Sequence, residues 1–285
     1  MTTVSFYSDC LPAYERALLN KEWPIPRLPD VDFNLDIGVD PSMSSSGICI
    51  ILRRKTDIIK CLTLNHKTRP GSPTPIRLGS LIDAINTLID EILSDIPSSK
   101  LHITILSEIP PVAMSSSGWL FALCQMLWIG FGPDAPALHK LHQRGFSLNI
   151  TQFGIGVPQL KNIYLHWASQ STAFESRITF KEVSKQKSLV VKIVNQVIDQ
   201  TPLRPFLPKR FNNDVAEGIA LALCAGGCAD ICSYDLSEDI TCVSPIIPVK
   251  LLHSLMVNQK VNKQNQRMGW VYRPLEYSFG WVAPA

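Results

Sequence analysis

Ile37-Gly38-Val39-Asp40-Pro41-Ser42-Met43-Ser44-Ser45-Ser46-Gly47, followed by Ile48-Cys49-Ile50-Ile51-Leu52, is the stretch on which the fold turns. It reads as an apolar strand that ends on an aspartate, a turn of small residues, and a second apolar strand. The connection is too short for a crossover, so the two strands run antiparallel. A third strand is expected from about Asp57 to Leu64, which completes a meander. The segment from Thr68 to Pro75 holds three prolines and a glycine and reads as a loop.

Leu78, Leu81, Ile82, Ile85, Leu88, Ile89 and Ile92 then recur at helical spacing and line one face. A fourth strand, Leu101-His102-Ile103-Thr104-Ile105-Leu106-Ser107-Glu108, ends on a carboxylate and is closed by Pro110 and Pro111. After it comes a helix, Trp119 to Trp128, that is apolar nearly all round and so must be covered on more than one side. A fifth strand is expected near Ser147 to Phe153. The region from Gly154 to Ser176 has no clear period and reads as an insertion. Lys187 to Ile198 is periodic and predicts a helix. Pro202, Pro205 and Pro208 form a stiff linker. A last helix starts near Asn213 and carries Asp214 and Glu217 close to its start.

Three antiparallel strands, helix, strand, helix, strand, helices is the order of the RNase H-like fold. The expected architecture is therefore α/β: a mixed five-stranded sheet, three antiparallel strands followed by parallel ones, flanked by helices. Residues 1–33 form an N-terminal extension, in which Pro24, Pro26 and Pro29 stop any helix. Residues 34–228 form the domain, and 229–285 a C-terminal extension. In that fold the first and fourth strands lie side by side, which makes Asp40 and Glu108 neighbours.

The chain has 285 residues, 46% hydrophobic and 18% charged, a globular and not a disordered composition. Its formal net charge is only +3, but the distribution is uneven. From Lys140 to Arg210 there are eleven Lys and Arg against Glu175, Glu182 and Asp199. That excess suits a polyanionic partner, although a solvated basic face would look the same. The start of the chain has no basic and apolar leader pattern, and no apolar run approaches the roughly 18 residues of a membrane span. An intracellular setting, cytoplasm or nucleoid, with no membrane partner and with its thiols mostly free is the expectation. Cys224, Cys228 and Cys232 recur every four residues among Ala and Gly, and read as a small-residue packing face before a metal site.

Asp40, Glu108, Asp214 and Glu217 carry the chemistry. Each alone has a structural explanation. Asp40 before Pro41 can start a turn, Asp214 can favour the helix dipole, and Glu217 can act in a capping box for Asn213 or Asp214. Glu108 at the end of a buried strand is the hardest to explain without a partner. Asp214 and Glu217, three apart, share a helical face. Four clustered carboxylates repel one another when no cation is present, and hard cations such as Mg²⁺ favour oxygen ligands. Phosphodiester cleavage commonly uses two such ions.

The segments Ile37-Gly38-Val39-Asp40-Pro41, Ile105-Leu106-Ser107-Glu108 and Asp214-Val215-Ala216-Glu217-Gly218-Ile219-Ala220-Leu221-Ala222 together resemble the RuvC-like Holliday-junction resolvases. The resemblance covers roughly residues 35–228. It implies a homodimeric endonuclease that cuts four-way DNA junctions with two Mg²⁺ or Mn²⁺ ions, held by Asp40, Glu108, Asp214 and Glu217. Pro158-Gln159-Leu160-Lys161 resembles the family's Pro-x-x-Val-Lys element, and Lys185 or Lys187 its later lysine. Lys161, Lys185, Lys187 and Lys192 would then meet DNA, with Lys187 also stabilising the reacting phosphate. The helix from Trp119 to Trp128 would pack at the dimer interface. The chain departs from the family pattern at Glu217, where Asp is usual, and at Gly218, where Ala is usual. It lacks the family's glycine-rich loop and carries an added stretch, 162–184.

Two other readings stay open on sequence alone. The Asp40 segment also resembles the first phosphate loop of actin-like and sugar-kinase ATPases, but these need a second copy of the fold with its own loop, and no second loop is found. A catalytically silent DNA-binding scaffold of the same fold is the other.

Overall fold

The computed structural model describes residues 31–42, 44–55, 57–109, 136–171, 173–174 and 178–233. The apolar segment 119–128 and both expected extensions, apart from a few flanking residues, lie outside the described residues. Five strands, β1 (Phe33–Asp40), β2 (Ser45–Arg54), β3 (Asp57–Lys67), β4 (Lys100–Ile109) and β5 (Ser147–Gly156), form one sheet in the order β3-β2-β1-β4-β5. β1 pairs antiparallel with β2 and β2 with β3, whereas β4 runs parallel to both β1 and β5. This is the expected RNase H-like sheet, and the first strand lies at its centre. All eight residues of β1 are buried, as a strand covered on both faces requires. β3, at the edge, is mostly half-exposed.

The two faces take different layers. Leu35, Ile37 and Val39 of β1, with Ile48, Ile50, Ile103 and Ile105, pack beneath α1 (Thr74–Ile92) and Leu141 of α2 (Pro136–Gln143). Cys49, Ile51, Leu106 and Ile155 project to the opposite face, which is covered by α3 (Val157–Gln170), α4 (Phe180–Lys185), α5 (Lys187–Asp199) and α6 (Asn213–Ser233). The expected helix over 187–198 is present, and a 3₁₀ turn at Arg204–Phe206 takes up part of the expected proline-rich linker.

The stretch that begins at Gly154, without a clear period in the sequence, forms regular structure as far as Gln170. β5 continues to Gly156 and α3 follows directly, burying Leu160, Ile163, Tyr164, Trp167 and Ala168. Those positions fall at i, i+3, i+4, i+7 and i+8, the pattern of one helix face.

α6 lies unusually close to the sheet because glycines remove the side chains between them. A Cβ added at Gly38 would overlap the backbone N of Ala222 and the carbonyl oxygen of Gly218. One added at Gly47 would overlap the carbonyl of Asp214. From the helix side, a Cβ at Gly218 would sit 2.9 Å from the carbonyl carbon of Gly47. Backbone thus rests on backbone near the start of the helix. Cys224, Ala220, Ala222 and Ala225 are fully buried, so the part of the small-residue stripe that can be seen is a packing face.

Further along the same face the layer is polar. Asp36 and Arg53 form a buried ion pair, and Arg53 Nη2 also donates to the carbonyl oxygen of Gly226 at 3.2 Å. Burial raises the Asp36 carboxyl, and the guanidinium opposes that shift. His102 is buried beside them. Burial first, and then the charge of Arg53, pull its imidazole down to about 3, so it is neutral at ordinary pH.

Candidate metal centre

Asp40 is the last residue of β1, and Glu108 lies near the end of β4, the strand alongside. Val39 pairs with Ser107 in the parallel register, so Asp40 and Glu108 are the next residues along two adjacent strands. α6 delivers the other two acids. Its N-cap is Asn212, whose Oδ1 accepts from the backbone N of Val215 at 3.0 Å. Neither Asp214 nor Glu217 therefore performs that capping, which removes one structural reason for Glu217. Contact of Gly47 with the Asp214 backbone seats this first turn against the β1–β2 end of the sheet.

Asp40, Asp214 and Glu217 each offer an oxygen within 4.8 Å of the other two. Glu108 is not in that trio, but its charge acts on Asp40, and Glu217's charge acts on it. Burial raises the Asp40 carboxyl well above the usual carboxylate range, and Glu217, Glu108 and Asp214 raise it further, Glu217 also through a hydrogen bond. Glu108 is pushed up to about 7 by burial and by Glu217, with Lys161 opposing. One cation compensates: Lys161 Nζ lies 3.5 Å from Glu217 Oε1, and both side chains are nearly buried. Asn213 Nδ2 donates to the other oxygen, Glu217 Oε2, at 3.0 Å. Four acids, Asp40 buried and Glu108, Asp214 and Glu217 partly so, with one ammonium at their edge, form a hard, oxygen-only donor set that is short of positive charge. That is the donor chemistry of a Mg²⁺ or Mn²⁺ site.

Lys161, expected to meet DNA phosphates, pairs with Glu217 across α3 and α6. Lys185, Lys187 and Lys192 are exposed, and among the described residues none pairs with a carboxylate. Sequence reasoning missed Tyr164, one turn beyond Lys161. It is fully buried, its hydroxyl has no hydrogen-bond partner among the described residues, and Glu217, Glu108 and Asp40 all act on it electrostatically. The apolar period of α3 was the signal that would have placed it.

The raised carboxyls give the site a pH signature. A carboxyl whose folded pKa exceeds its unfolded value binds its proton preferentially in the folded state. Its contribution to stability is complete below the unfolded value and lost as pH rises through the folded one. For Glu108 that window runs from 4.5 to about 7. His102, held neutral down to about 3, has the opposite slope, so the effect is read against Glu108→Gln. We expect the metal-free wild type to lose stability relative to Glu108→Gln between these pH values. Mn²⁺ affinity should rise over the same range, because ligands must lose their protons to bind metal. Chemical denaturation and calorimetry at pH 5 and pH 8 measure both. A wild type that gains on Glu108→Gln as pH rises would contradict a charge-crowded centre.

No helix among the described residues is long and apolar enough to cross a membrane. No family model matches the sequence, and no curated protein matches it. Among solved structures, it is similar to the T. thermophilus RuvC in complex with Holliday junction substrate at 15% identity, with a TM-score of 0.37, over 67% of this chain and 90% of that one. The Thermus thermophilus RuvC structure matches at 16% identity, with a TM-score of 0.34, over 67% of this chain and 91% of that one. The RNase H-like fold of this chain rests on its own strand order and pairing, β3-β2-β1-β4-β5 with the turn from antiparallel to parallel at β1.

Proposed function

We propose that this chain is a divalent-metal-dependent DNA endonuclease acting on branched DNA, four-way junctions first. The observation that carries the reading is the meeting of Asp40, Asp214 and Glu217 within 4.8 Å at one end of the sheet, with Glu108 in electrostatic reach. Asp40, Asp214, Glu217 and Glu108 would hold Mg²⁺ or Mn²⁺, two ions for the four acids. Such ions supply a hydroxide-like nucleophile at neutral pH and neutralise charge that gathers on the phosphate. The substrate class rests on the three motif segments shared with junction resolvases.

The chain's own residues support hydrolysis by in-line attack of water on a phosphodiester, leaving a 5′ phosphate. The carboxylates would hold the cations that bind the phosphodiester, since the acids alone repel it. Lys161 supplies an ammonium at the edge of the cluster, where it can stabilise negative charge on the phosphate. Lys185, Lys187 and Lys192 lie exposed along α4 and α5 and would hold the backbone. The carry-over of a catalytic role to Lys187 rests on the motif resemblance alone.

Replacing Lys185, Lys187 and Lys192 together by Ala should lower the slope of log affinity against log salt by roughly three, about one counterion per phosphate contact. Fluorescence anisotropy on a labelled junction reads the slope. A slope equal to wild type would remove this face from the DNA interface.

A homodimer would place two such sites on two strands of a two-fold symmetric junction. Trp119, Phe121, Met126 and Trp128, of types enriched at interface cores, would lie in that contact. Light scattering is expected to give twice the 31.7 kDa chain mass. A mass of one chain at micromolar concentration, with and without junction DNA, would reject the dimer.

The function itself is tested by incubating the protein with a labelled four-way junction, a duplex, a flap and a single strand, with and without Mg²⁺. Metal-dependent nicking with preference for the junction is expected. Cleavage that persists in chelator, or none of any substrate, would sink the reading.

A further inference from the structure

Among the described residues, Tyr164 carries a buried hydroxyl without a hydrogen-bond partner. Buried tyrosine hydroxyls usually find one, and this residue is fully buried. The charges of Glu217, Glu108 and Asp40 all reach it. Lys161, one turn earlier on α3, places its Nζ 5.4 Å from the Tyr164 ring centroid and 3.5 Å from Glu217 Oε1. Trp167, one turn later, stands with its ring 5.8 Å from that of Tyr164 and limits where the phenol can go. Burial and the surrounding carboxylates hold the phenol protonated, so it is available as a donor.

Glu217 is the carboxylate whose charge acts most strongly on the phenol. Both of its oxygens now have partners, Lys161 on one and Asn213 on the other, and it shares a hydrogen bond with Asp40. The charge of a divalent cation among these acids would oppose an ammonium at 3.5 Å from the same carboxylate. A neutral donor meets no such repulsion. Resting on the metal-centre reading above, we propose that Tyr164 is a positioning residue of that centre: its hydroxyl donates to Glu217 when a cation is bound, and so takes over the orienting role that Lys161 has without one. Lys161 is then released toward the phosphate. Outer partners of this kind orient metal-holding carboxylates and typically change metal affinity 10- to 100-fold when removed, by general experience with such sites.

The test uses the full chain and Mn²⁺ as probe. Wild type and Tyr164→Phe are compared by calorimetric titration and by thermal unfolding with and without Mn²⁺. Tyr164→Phe deletes only the oxygen. It is expected to unfold at the same temperature as wild type or higher when metal-free, and to bind Mn²⁺ about tenfold more weakly. Its Mn²⁺-induced rise in unfolding temperature should be correspondingly smaller. Wild-type Mn²⁺ affinity in Tyr164→Phe would overturn the proposal while leaving the metal centre standing. Failure of the wild type to bind Mn²⁺ at all would overturn both. Should Tyr164→Phe not fold, infrared difference spectra of ring-labelled wild type decide: Mn²⁺ is expected to shift one tyrosine C–O band, and no shift rejects the role.

Discussion

Asp40→Asn should abolish strand cleavage, with a loss of at least about a thousandfold, or about 4 kcal/mol of transition-state stabilisation, while junction binding persists. The amide keeps the shape of the side chain and loses the charge and one of two anionic oxygens. Asp40 sits at the centre of the cluster, within ligand reach of Asp214 and Glu217 and under the charge of Glu108. An Asn there can donate to Glu217 and removes one charge from a crowded set of acids, so the metal-free fold should be as stable as wild type or more so. Single-turnover cleavage beside gel-shift affinity separates the two effects. Wild-type cleavage by clean variant protein would remove Asp40 from the chemistry. Loss of binding in step with cleavage would mean that the substitution acts on structure and not on metal.

Gly38→Ala carries the largest expected cost in stability. Its new methyl would occupy the space of the Ala222 N and the Gly218 carbonyl oxygen, both backbone atoms of α6 that cannot rotate aside. Relief requires lifting the helix from the sheet, which opens the packing of Ala220, Ala222 and Cys224 as well. Overpacking a core side chain usually costs about 1–3 kcal/mol. Here about 4 kcal/mol or more is expected, a large share of the roughly 5–15 kcal/mol that holds a domain together. Gly79→Ala is the control. It lies within α1, an added Cβ meets nothing within 4 Å, and helix propensity favours Ala by about 1 kcal/mol. Urea unfolding of the two variants should move in opposite directions. Equal midpoints would show that α6 is not seated on Gly38, and that the route by which Asp214 and Glu217 reach Asp40 is different.

The strands were legible because their apolar runs are bounded by strong punctuation: the Asp40–Gly47 turn, Pro110 and Pro111 after β4, the loop from Thr68 to Pro75. The acids were legible because each stands at an element's end, where a backbone period places a residue without knowledge of its neighbours. What stayed hidden depends on contacts distant in sequence. The interleaved polar residues of α3 masked Leu160, Ile163, Tyr164, Trp167 and Ala168, and with them the phenol that the charges of the acids reach from a fourth element. Lys161 read as a DNA-contacting lysine of a motif, and its pairing with Glu217 stayed hidden because it is a fact of packing across 56 positions. The Asp36–Arg53 pair and the neutral His102 were likewise invisible, because neither residue departs from its strand's alternation. Gly38 and Gly47 drew notice as motif letters, but their task as the seat of α6 appears only when helix and sheet are brought together.

Crystals soaked in Mn²⁺ and measured at the manganese absorption edge test the metal centre most directly. An anomalous peak is expected among the carboxylates of Asp40, Asp214 and Glu217, with Lys161 withdrawn from Glu217, and the peak should vanish in Asp40→Asn. No peak at saturating Mn²⁺, with the Lys161–Glu217 pair intact, would contradict the account.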